Sequence, residues 1–505
     1  MDDKTGPVAK AAVDNSSSGS DADNLHDPDA GLSEEERRAA ERRLLWKLDL
    51  QLIPWLSLLY LVCFLDRTNI GNAKIAHLER DLGIDPGSGQ YAATLTIFFV
   101  SYAVFEVLCN FLLKKLRPSI FIPSIIGNRI LWGACMLGMG FVTNFSGLMA
   151  ARWFLGVCEA GLFPGINYYL SCWYRRCEFG VRAAVFFSAA ALAGSFGGLL
   201  AAAIQRLDGA RGLAGWAWIF IIEGGLTVAI GLASFFMVHD FPDEAGFLSA
   251  DDRARVLLRL RRDGQHSAEH EDFRPAALWA AAADWKTWVG ALIYMGPLMP
   301  LYAFSFFLPS IIQAMGFTDS SHVVRNQLLS VPPYAVAAVA TVAVGLASDR
   351  LRRRGVFNVG CALVAVAGFV MLMASTAPAV QYAGTFLAAA GIYPSISLTI
   401  AWVANNVEGV YKRGVVLGVV IGWGNLNGIV SSNVYRDPPR YLAGHAVVTA
   451  YLVVCMLGGS LLMYALLRLE NRRRRRGDRD HWAQGKTPAE LNAMGDRRPD
   501  FIYTL

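Results

Sequence analysis

Apolar and polar residues along this chain fall into long blocks rather than the short alternation of a surface helix or a half-buried strand. After a polar leader, runs of about 18 to 25 largely apolar residues recur, each long enough to cross a hydrocarbon core of roughly 30 Å at 1.5 Å per residue. Twelve such spans are predicted, over approximately 50–72, 90–112, 119–141, 146–169, 183–205, 215–238, 287–313, 327–348, 356–376, 380–404, 413–434 and 446–469. The expected fold class is therefore an all-α polytopic membrane protein. Pro and Gly recur inside the runs, as a membrane bundle tolerates because neighbouring helices re-satisfy freed backbone groups.

One long internal connection, 239–286, divides the spans into two sets of six. Within it, Ser249–Arg262 is amphipathic, opens on Ser249-Ala-Asp-Asp and ends in basic residues, so its charges complement its own helix dipole. The expected organisation is a disordered cytosolic tail (1–44), a first six-helix half (45–238), a cytosolic linker with an amphipathic helix (239–286), a second six-helix half (287–469) and a cytosolic tail (470–505). Two six-helix bodies suit a transporter that rocks about a site between them.

Composition agrees with lipid as the solvent: 54% of residues are hydrophobic and 17% charged. The placement of charge matters more than its net value of +5. Loops on one side carry Lys114, Lys115, Arg117, Arg175, Arg176, Arg182, Arg350, Arg352, Arg353, Arg354, Lys412 and Arg413, and the opposite loops carry about half as many. By the positive-inside rule that side, with both termini, faces the cytosol. Arg472–Arg476 directly follows the last span and reads as a lipid-headgroup anchor, which leaves a nucleic-acid partner without support. The first 40 or so residues show no secretory leader. The Asn144-Phe-Ser146 sequon abuts the fourth span and is out of reach of glycosylation. Most of the eight cysteines lie in apolar runs and imply neither a disulfide framework nor zinc.

Ionisable residues at bilayer depth cost about 2.5–3.5 kcal/mol each on insertion scales, so each asks for a partner or a function. Asp66 and Arg67 lie in the outer half of the first span, and Arg152 and Glu159 share a face of the fourth, two turns and about 10 Å apart. One reading is a salt-bridge set that joins the two helices. The other is a pair of carboxylates beside movable cations, poised to take up and release protons. Glu223, flanked by Gly224 and Gly225 in the sixth span, reads as structural. Arg129 in the third span has no local carboxylate and is expected to pair with an acid of another helix. The second half offers polar, nearly uncharged helices: Tyr302 and Ser305 after Pro297 and Pro300, then Tyr393, Thr399 and Trp402, then Trp423, Asn425 and Asn427. Aromatics with polar tips plus amides suit an organic ligand with one charge.

Several motifs add a resemblance. The loop Gly345-Leu-Ala-Ser-Asp349-Arg350-Leu-Arg-Arg-Arg354 resembles the cytosolic signature of the major facilitator superfamily, which implies a conformational latch at Gly345, Asp349, Arg350 and Arg354. The matching first-half loop, 110–118, has Lys where the signature has Asp, so a first-half latch of that kind is not expected. Asp66-Arg-Thr-Asn-Ile-Gly-Asn-Ala73, Arg152-Trp-Phe-Leu-Gly-Val-Cys-Glu-Ala-Gly161, Trp218-Ile-Phe-Ile-Ile-Glu-Gly224, Gly424-Asn-Leu-Asn-Gly-Ile-Val-Ser-Ser-Asn433 and the tail 495–505 are similar to the fungal anion:cation symporter branch, the allantoate, nicotinate and pantothenate permeases.

That resemblance implies proton-coupled symport of a small organic anion by alternating access, with protons as the coupling ion and no other cofactor or metal. It implies Asp66 and Glu159 as proton-coupling carboxylates and Arg67 as the arginine for the substrate carboxylate. Arg152 is implied as the arginine that pairs with Glu159 and tunes coupling, and it stands in the substrate-binding set together with Thr399, Trp402 and Asn425. Tyr302 and Tyr393 join the substrate-binding set from their own chemistry. Arg129 departs from the family pattern. The expected protein is monomeric, embedded in a lipid bilayer, multi-pass, in the plasma membrane. A non-transporting nutrient sensor on the same scaffold is the alternative. An enzyme is excluded by the lack of a metal-ligand helix pair, nucleophile elbow or phosphate loop. The identity of the anion is not legible.

Overall fold

The computed structural model describes residues 27–85, 88–115, 130–239, 241–262, 275–316, 323–408, 410–436, 440–487 and 494–505. In chain order the helices are α1 (Glu34–Ile75), α2 (Gln90–Lys115), α3 (Ile130–Met139), α4 (Phe145–Glu159), α5 (Leu162–Ser171), α6 (Arg176–Ile204), α7 (Gly215–Met237), α8 (Ala250–Arg262), α9 (Pro275–Ala282), α10 (Trp285–Ala314), α11 (Val323–Leu351), α12 (Arg354–Ala374), α13 (Pro378–Asn405), α14 (Val410–Asn425), α15 (Asn427–Val434) and α16 (Leu442–Arg475). Among the described residues there is no strand, and nine helical segments are long and apolar enough to cross a membrane. The second, third and fourth expected spans fall outside those nine; they correspond to α2, to α3, and to the pair α4 and α5. Arg129 and residues 116–118 of the first-half loop 110–118 lie outside the described residues.

The fourth and eleventh expected spans are each split. Between α4 and α5 stands Gly161 at φ +87°, where a Cβ would lie 2.6 Å from the Cβ of Cys109. Only glycine adopts that backbone without strain, so Gly161 sets the break directly after Glu159. The other split, at Leu426, separates Asn425 from Asn427. α10 keeps its helical course through Pro297, Pro300 and Pro309, enclosed by its neighbours along almost its whole length.

Small residues set the contacts between the two halves. α1 packs on α10, α2 on α14 and α15, and α6 on α11 and α13. A Cβ at Gly71 would lie 2.7 Å from the carbonyl oxygen of Phe306, and one at Gly198 would lie 2.8 Å from that of Gln327. Gly428 gives the Phe99 ring its place. Close backbone approach at small residues is how helices gain dispersion contacts where lipid supplies no hydrophobic drive. The outer surface carries exposed apolar side chains, among them Leu131, Phe141, Phe196, Phe236 and Val339, as a lipid-facing wall requires.

The leader is more ordered than its composition predicts. α1 begins at Glu34, ten residues inside the segment expected to be disordered, because Ser33 and Glu36 form a reciprocal capping box (2.9 and 3.3 Å). The N-terminal part of α1 is also held by α8. Lys47 bonds Asp252 at 2.7 Å, Arg255 bonds Asp29 at 2.8 Å, and Arg259 bonds Glu178 of α6 at 2.6 Å. Val256 and Leu260 supply the buried apolar face of α8. The linker helix thus belongs physically to the first half.

The segment 494–505, expected to be a tail, packs as a strap across one end of the second half. Asp496 bonds Lys286 of α10, and Lys412 of α14 at 2.8 Å. Asn471 donates to the Tyr503 carbonyl at 2.8 Å, and Arg474 donates to the Tyr503 hydroxyl at 2.8 Å. Trp402 and Asn406 of α13 donate to the Thr504 carbonyl at 2.9 and 3.0 Å. The Arg354 N–H donates to the Leu505 carbonyl at 2.8 Å. Burial works to raise the Asp496 pKa, but Lys286 and Lys412 outweigh it and hold the carboxyl below its ordinary value. Its contribution to stability is therefore present above the unfolded aspartate pKa of about 3.9 and is lost only as the pH falls through the lower folded value. Asp496→Ala leaves Lys286, 2% exposed, without its main partner. The expected cost is about 3–5 kcal/mol, seen as a lower thermal midpoint in detergent at pH 7, and an unchanged midpoint counts against the strap.

Candidate functional site

Adjacent residues of a helix project about 100° apart, so Asp66 and Arg67 of α1 look toward different neighbours. Asp66 faces α7, where the Thr227 hydroxyl donates to its Oδ2 at 2.6 Å. One turn on, Asn69 donates to Glu223 of the same helix at 2.9 Å. Arg67 faces α4 and α10. Its Nε and Nη2 donate to Glu159 Oε1 at 2.9 and 2.5 Å, and its Nη1 donates to the Tyr302 hydroxyl at 2.8 Å. The Cys63 thiol donates to the same Glu159 oxygen. The guanidinium also lies 4.8 Å from the Tyr102 ring centre and 5.4 Å from that of Phe98, a cation–π cradle on α2.

From Tyr302 the hydrogen bonds continue across the bundle. Tyr302 donates to Asn425 Oδ1 at 2.7 Å, and the Asn425 amide donates to both oxygens of Glu106 on α2, at 3.0 and 3.2 Å. The path Glu159–Arg67–Tyr302–Asn425–Glu106 therefore starts and ends in the first half and passes through two helices of the second. Asp66, Arg67, Glu106, Arg152, Glu159 and Glu223 are at most 3% exposed, so every member interacts in a low-dielectric interior.

Glu106 was not among the expected site residues, although a lone acid in the apolar run 90–112 is itself a signal. Arg152 departs from expectation in another way. It was implied as the partner of Glu159, yet Glu159 bonds Arg67, and the Nε and Nη2 of Arg152 have no hydrogen-bond partner among the described residues. Two turns of helix separate Arg152 from Glu159, too far for an ion pair, and the end of α4 turns the acid toward α1.

The second-half residues divide into two levels. Tyr393 meets the Ser305 hydroxyl at 3.1 Å, and Ser305 lies one turn from Tyr302 on α10, so this pair joins the central level. Thr399 and Trp402 are not brought there. Thr399 is engaged by Asn358 at 3.3 Å, and the Trp402 indole is committed to the strap at Thr504, because α13 carries both toward its C-terminal end. At that end Arg354 pairs with Asp349 at 2.7 Å, and both pack where a Cβ on Gly180 of α6 would stand. Gly345 abuts Ala184 in the same contact, while Arg350 is exposed. The loop that resembles a latch thus bridges the halves through Asp349, Arg354 and Gly345.

Comparison with known proteins agrees with this architecture. The sequence pattern of the Major Facilitator Superfamily matches residues 56–432. The chain is 31% identical over 467 residues to the high-affinity nicotinic acid transporter of Saccharomyces cerevisiae, covering 92% of this chain and 85% of that protein. It is 34% identical over 481 residues to the MFS-type transporter cnsO of Penicillium expansum, covering 92% and 91%. A bacterial homolog of the human lysosomal transporter Spinster, solved in an inward-facing and occupied conformation, shares the fold with a TM-score of 0.58 at 16% identity, covering 82% of this chain and 96% of that one.

The break after Glu159 gives a test of how the acid is aimed. Gly161→Ala meets both a positive φ and the Cys109 side chain, and is expected to destabilise by more than about 1 kcal/mol. Gly138→Ala, with no atom within 4 Å of its new methyl group, serves as the control. Thermal midpoints in detergent that fall equally for both variants count against a special role for the break.

Proposed function

The chain belongs to the major facilitator superfamily, and on that premise we propose that it carries a small organic anion together with protons by alternating access. As a member of that family it is a multi-pass membrane transporter, not an enzyme. The observation that carries the finer reading is the sharing of one buried guanidinium between Glu159 of the first half and Tyr302 of the second. An incoming carboxylate can bind Arg67 only in exchange for Glu159, and a buried Glu159 released from its cation needs a proton. Substrate and proton are thereby linked at a single atom group.

In the outward-open state, protons reach Asp66 and Glu159 and free Arg67 for the substrate carboxylate, with Tyr302 and Asn425 as neutral hydrogen-bond partners. Four acids, Asp66, Glu106, Glu159 and Glu223, stand against two arginines, Arg67 and Arg152, in this part of the bundle among the described residues. Protons are the natural complement to that excess of acid. Arg152 has guanidinium N–H groups to spare for charge that Arg67 gives up. After closure and inward opening, proton loss to the cytosol restores the Glu159–Arg67 pair and expels the anion, and the Asp349–Arg354 contact on Gly180 is broken and remade in each cycle. The name of the yeast relative, a nicotinic acid transporter, supports a carboxylate as cargo. The transporter works as a monomer in the plasma membrane with both termini cytosolic and needs no cofactor beyond the coupling protons.

The test is uptake of labelled nicotinate, and competition by a panel of small carboxylates, in liposomes holding the purified protein. An inward proton gradient is expected to drive accumulation that a protonophore abolishes. Arg67→Ala is expected to lower uptake about a hundredfold, the equivalent of roughly 3 kcal/mol for a lost charge-assisted pair. Glu159→Gln is expected to retain exchange of labelled for unlabelled anion while losing acceleration by the gradient. Uptake by the unaltered protein that ignores the gradient removes proton coupling.

A further inference from the structure

Where α16 runs out of its apolar stretch, a cavity of about 620 Å³ lies apart from the central charged level. Its walls come from the start of α10, the end of α16, the turn at Asp480–Trp482 and the strap. Basic side chains are frequent in the lining, but they differ in how far they are committed. Arg474 spends its guanidinium on the carbonyl oxygens of Asp496, Arg498 and Phe501 and on the Tyr503 hydroxyl, at 2.6–3.1 Å. Lys286 is neutralised by Asp496. Arg479 donates to the two oxygens of Glu470 at 2.9 and 2.8 Å, and lies 4.4 Å from the Trp482 ring centre.

Arg473 of α16 and Arg497 of the strap are different. Both line the cavity, both are exposed, and neither has an ion pair or a side-chain hydrogen bond among the described residues. The acids beside them offer no relief, since Glu470 is taken by Arg479, and Asp284 and Asp496 are taken by Lys286 and Lys412. Two like charges bordering one hollow without a counter-charge favour an anion there. The cavity also has an apolar side. Leu466 and Leu469 line it, and with Leu462 they form an exposed stripe at i, i+4 and i+7 on one face of α16, running back along the span. Trp285 adds an exposed indole to the lining, a side chain that favours the boundary between hydrocarbon and headgroups.

We propose that this cavity binds the headgroup of a phospholipid bearing a phosphomonoester, with Arg473 and Arg497 on the phosphate and an acyl chain along Leu469, Leu466 and Leu462. A phosphomonoester brings nearly two negative charges and three acceptor oxygens, which two guanidiniums can meet with paired N–H donors. A phosphodiester alone brings one charge. The volume lies within the range of small-molecule sites, about 300–1,000 Å³, and admits a ring-sized headgroup such as a phosphorylated inositol. A soluble phosphomonoester would satisfy the arginines and leave the leucine stripe unused, so a lipid matches more of the surface. Because one arginine stands on α16 and the other on the strap, the bound phosphate fastens the strap, and the second half gains stability with lipid by mass action.

The test is binding to the purified full chain in detergent, read from the rise in thermal midpoint as short-chain lipid is added. Dioctanoyl phosphatidylinositol 4-phosphate is expected to bind about tenfold or more tightly than dioctanoyl phosphatidylserine, as for one added hydrogen bond between charged groups. Arg473→Gln combined with Arg497→Gln is expected to bring that preference to about twofold or less. Arg472→Gln combined with Arg476→Gln removes the same charge from exposed arginines outside the cavity lining and is expected to keep the preference. Since Arg473 and Arg497 hold no partner among the described residues, the midpoint without lipid is expected to stay unchanged, which separates lost binding from lost folding. Inositol 1,4-bisphosphate, which offers the phosphates without acyl chains, is expected to bind about tenfold more weakly than the lipid. Equal affinities for the two lipids overturn the proposal. Equal losses in the two double variants also overturn it, since they mark a general attraction to a basic surface. Inositol bisphosphate that binds as tightly as the lipid overturns the lipid assignment in favour of a soluble phosphomonoester.

Discussion

A guanidinium that cannot lose its charge, buried where water cannot solvate it, is the constraint around which the bundle is arranged. Arg67 has to be met by an acid, by hydrogen-bond acceptors and by polarisable faces from helices distant in sequence. Glu159 supplies the charge from α4, Tyr302 the acceptor oxygen from α10, and Tyr102 and Phe98 the aromatic faces from α2. Each supplier has a local device that delivers it. α4 ends at the glycine-set break after Glu159, and Gly156 lets α4 lie against the backbone of α2 at Phe98. Because one arginine collects partners from both halves, any movement of one half against the other must break bonds to it. On the proposed mechanism the substrate carboxylate replaces those bonds as the halves move.

Away from this centre the two halves are braced separately. The first half is held by α8, whose Arg255, Arg259 and Asp252 bind the ordered leader, the end of α1 and the start of α6. The second half is held by the strap 494–505, which ties α10, α12, α13, α14 and α16. Between the braces lies a small contact, Asp349 and Arg354 on Gly180 and Gly345 on Ala184. Arg354 takes part in both systems: its side chain faces the first half and its backbone N–H bonds the strap. Strong bonds within each half keep the work of opening confined to the boundary between them, which here is the packed set α1–α10, α2–α15, α6–α11 and α6–α13.

Much of this was legible as pattern. Apolar runs announced the spans, the linker's periodicity announced α8, and Asp66, Arg67 and Glu159 stood out because charge in a membrane helix is costly. Three features were hidden for physical reasons. The order of 494–505 comes from tertiary partners, Lys286, Lys412 and Asn471, that no local propensity reveals. The pairing of Glu159 with Arg67 rather than with Arg152 depends on where α4 breaks, which is a property of backbone φ at Gly161. Thr399 and Trp402 looked like ligand contacts because they are polar-tipped and follow Tyr393, but a helix carries residues six and nine positions on some 9–14 Å further along its axis. Glu106 is a different case, since its isolation in an apolar run is visible without coordinates, and its tie to Asn425 across the bundle is not.

The distribution of unsatisfied polar atoms explains why charge of this kind persists in so costly a place. Asp66 Oδ1, Asn69 Oδ1, Glu159 Oε2, Glu223 Oε1 and the Nε and Nη2 of Arg152 are all buried without a hydrogen-bond partner among the described residues. Each such group costs about 1–3 kcal/mol, more when charged, and these belong to three neighbouring helices, α1, α4 and α7. A bundle selected for stability alone would replace them with packed apolar side chains, as buried ion pairs elsewhere tolerate. On the proposed mechanism, the state with protons or a carboxylate in place supplies partners for these atoms. Unsatisfied atoms also occur elsewhere among the described residues, at Trp132, Gln327 and Asn358 for example, so what distinguishes this set is that four of its five residues are ionisable and that Glu159 holds the guanidinium of Arg67.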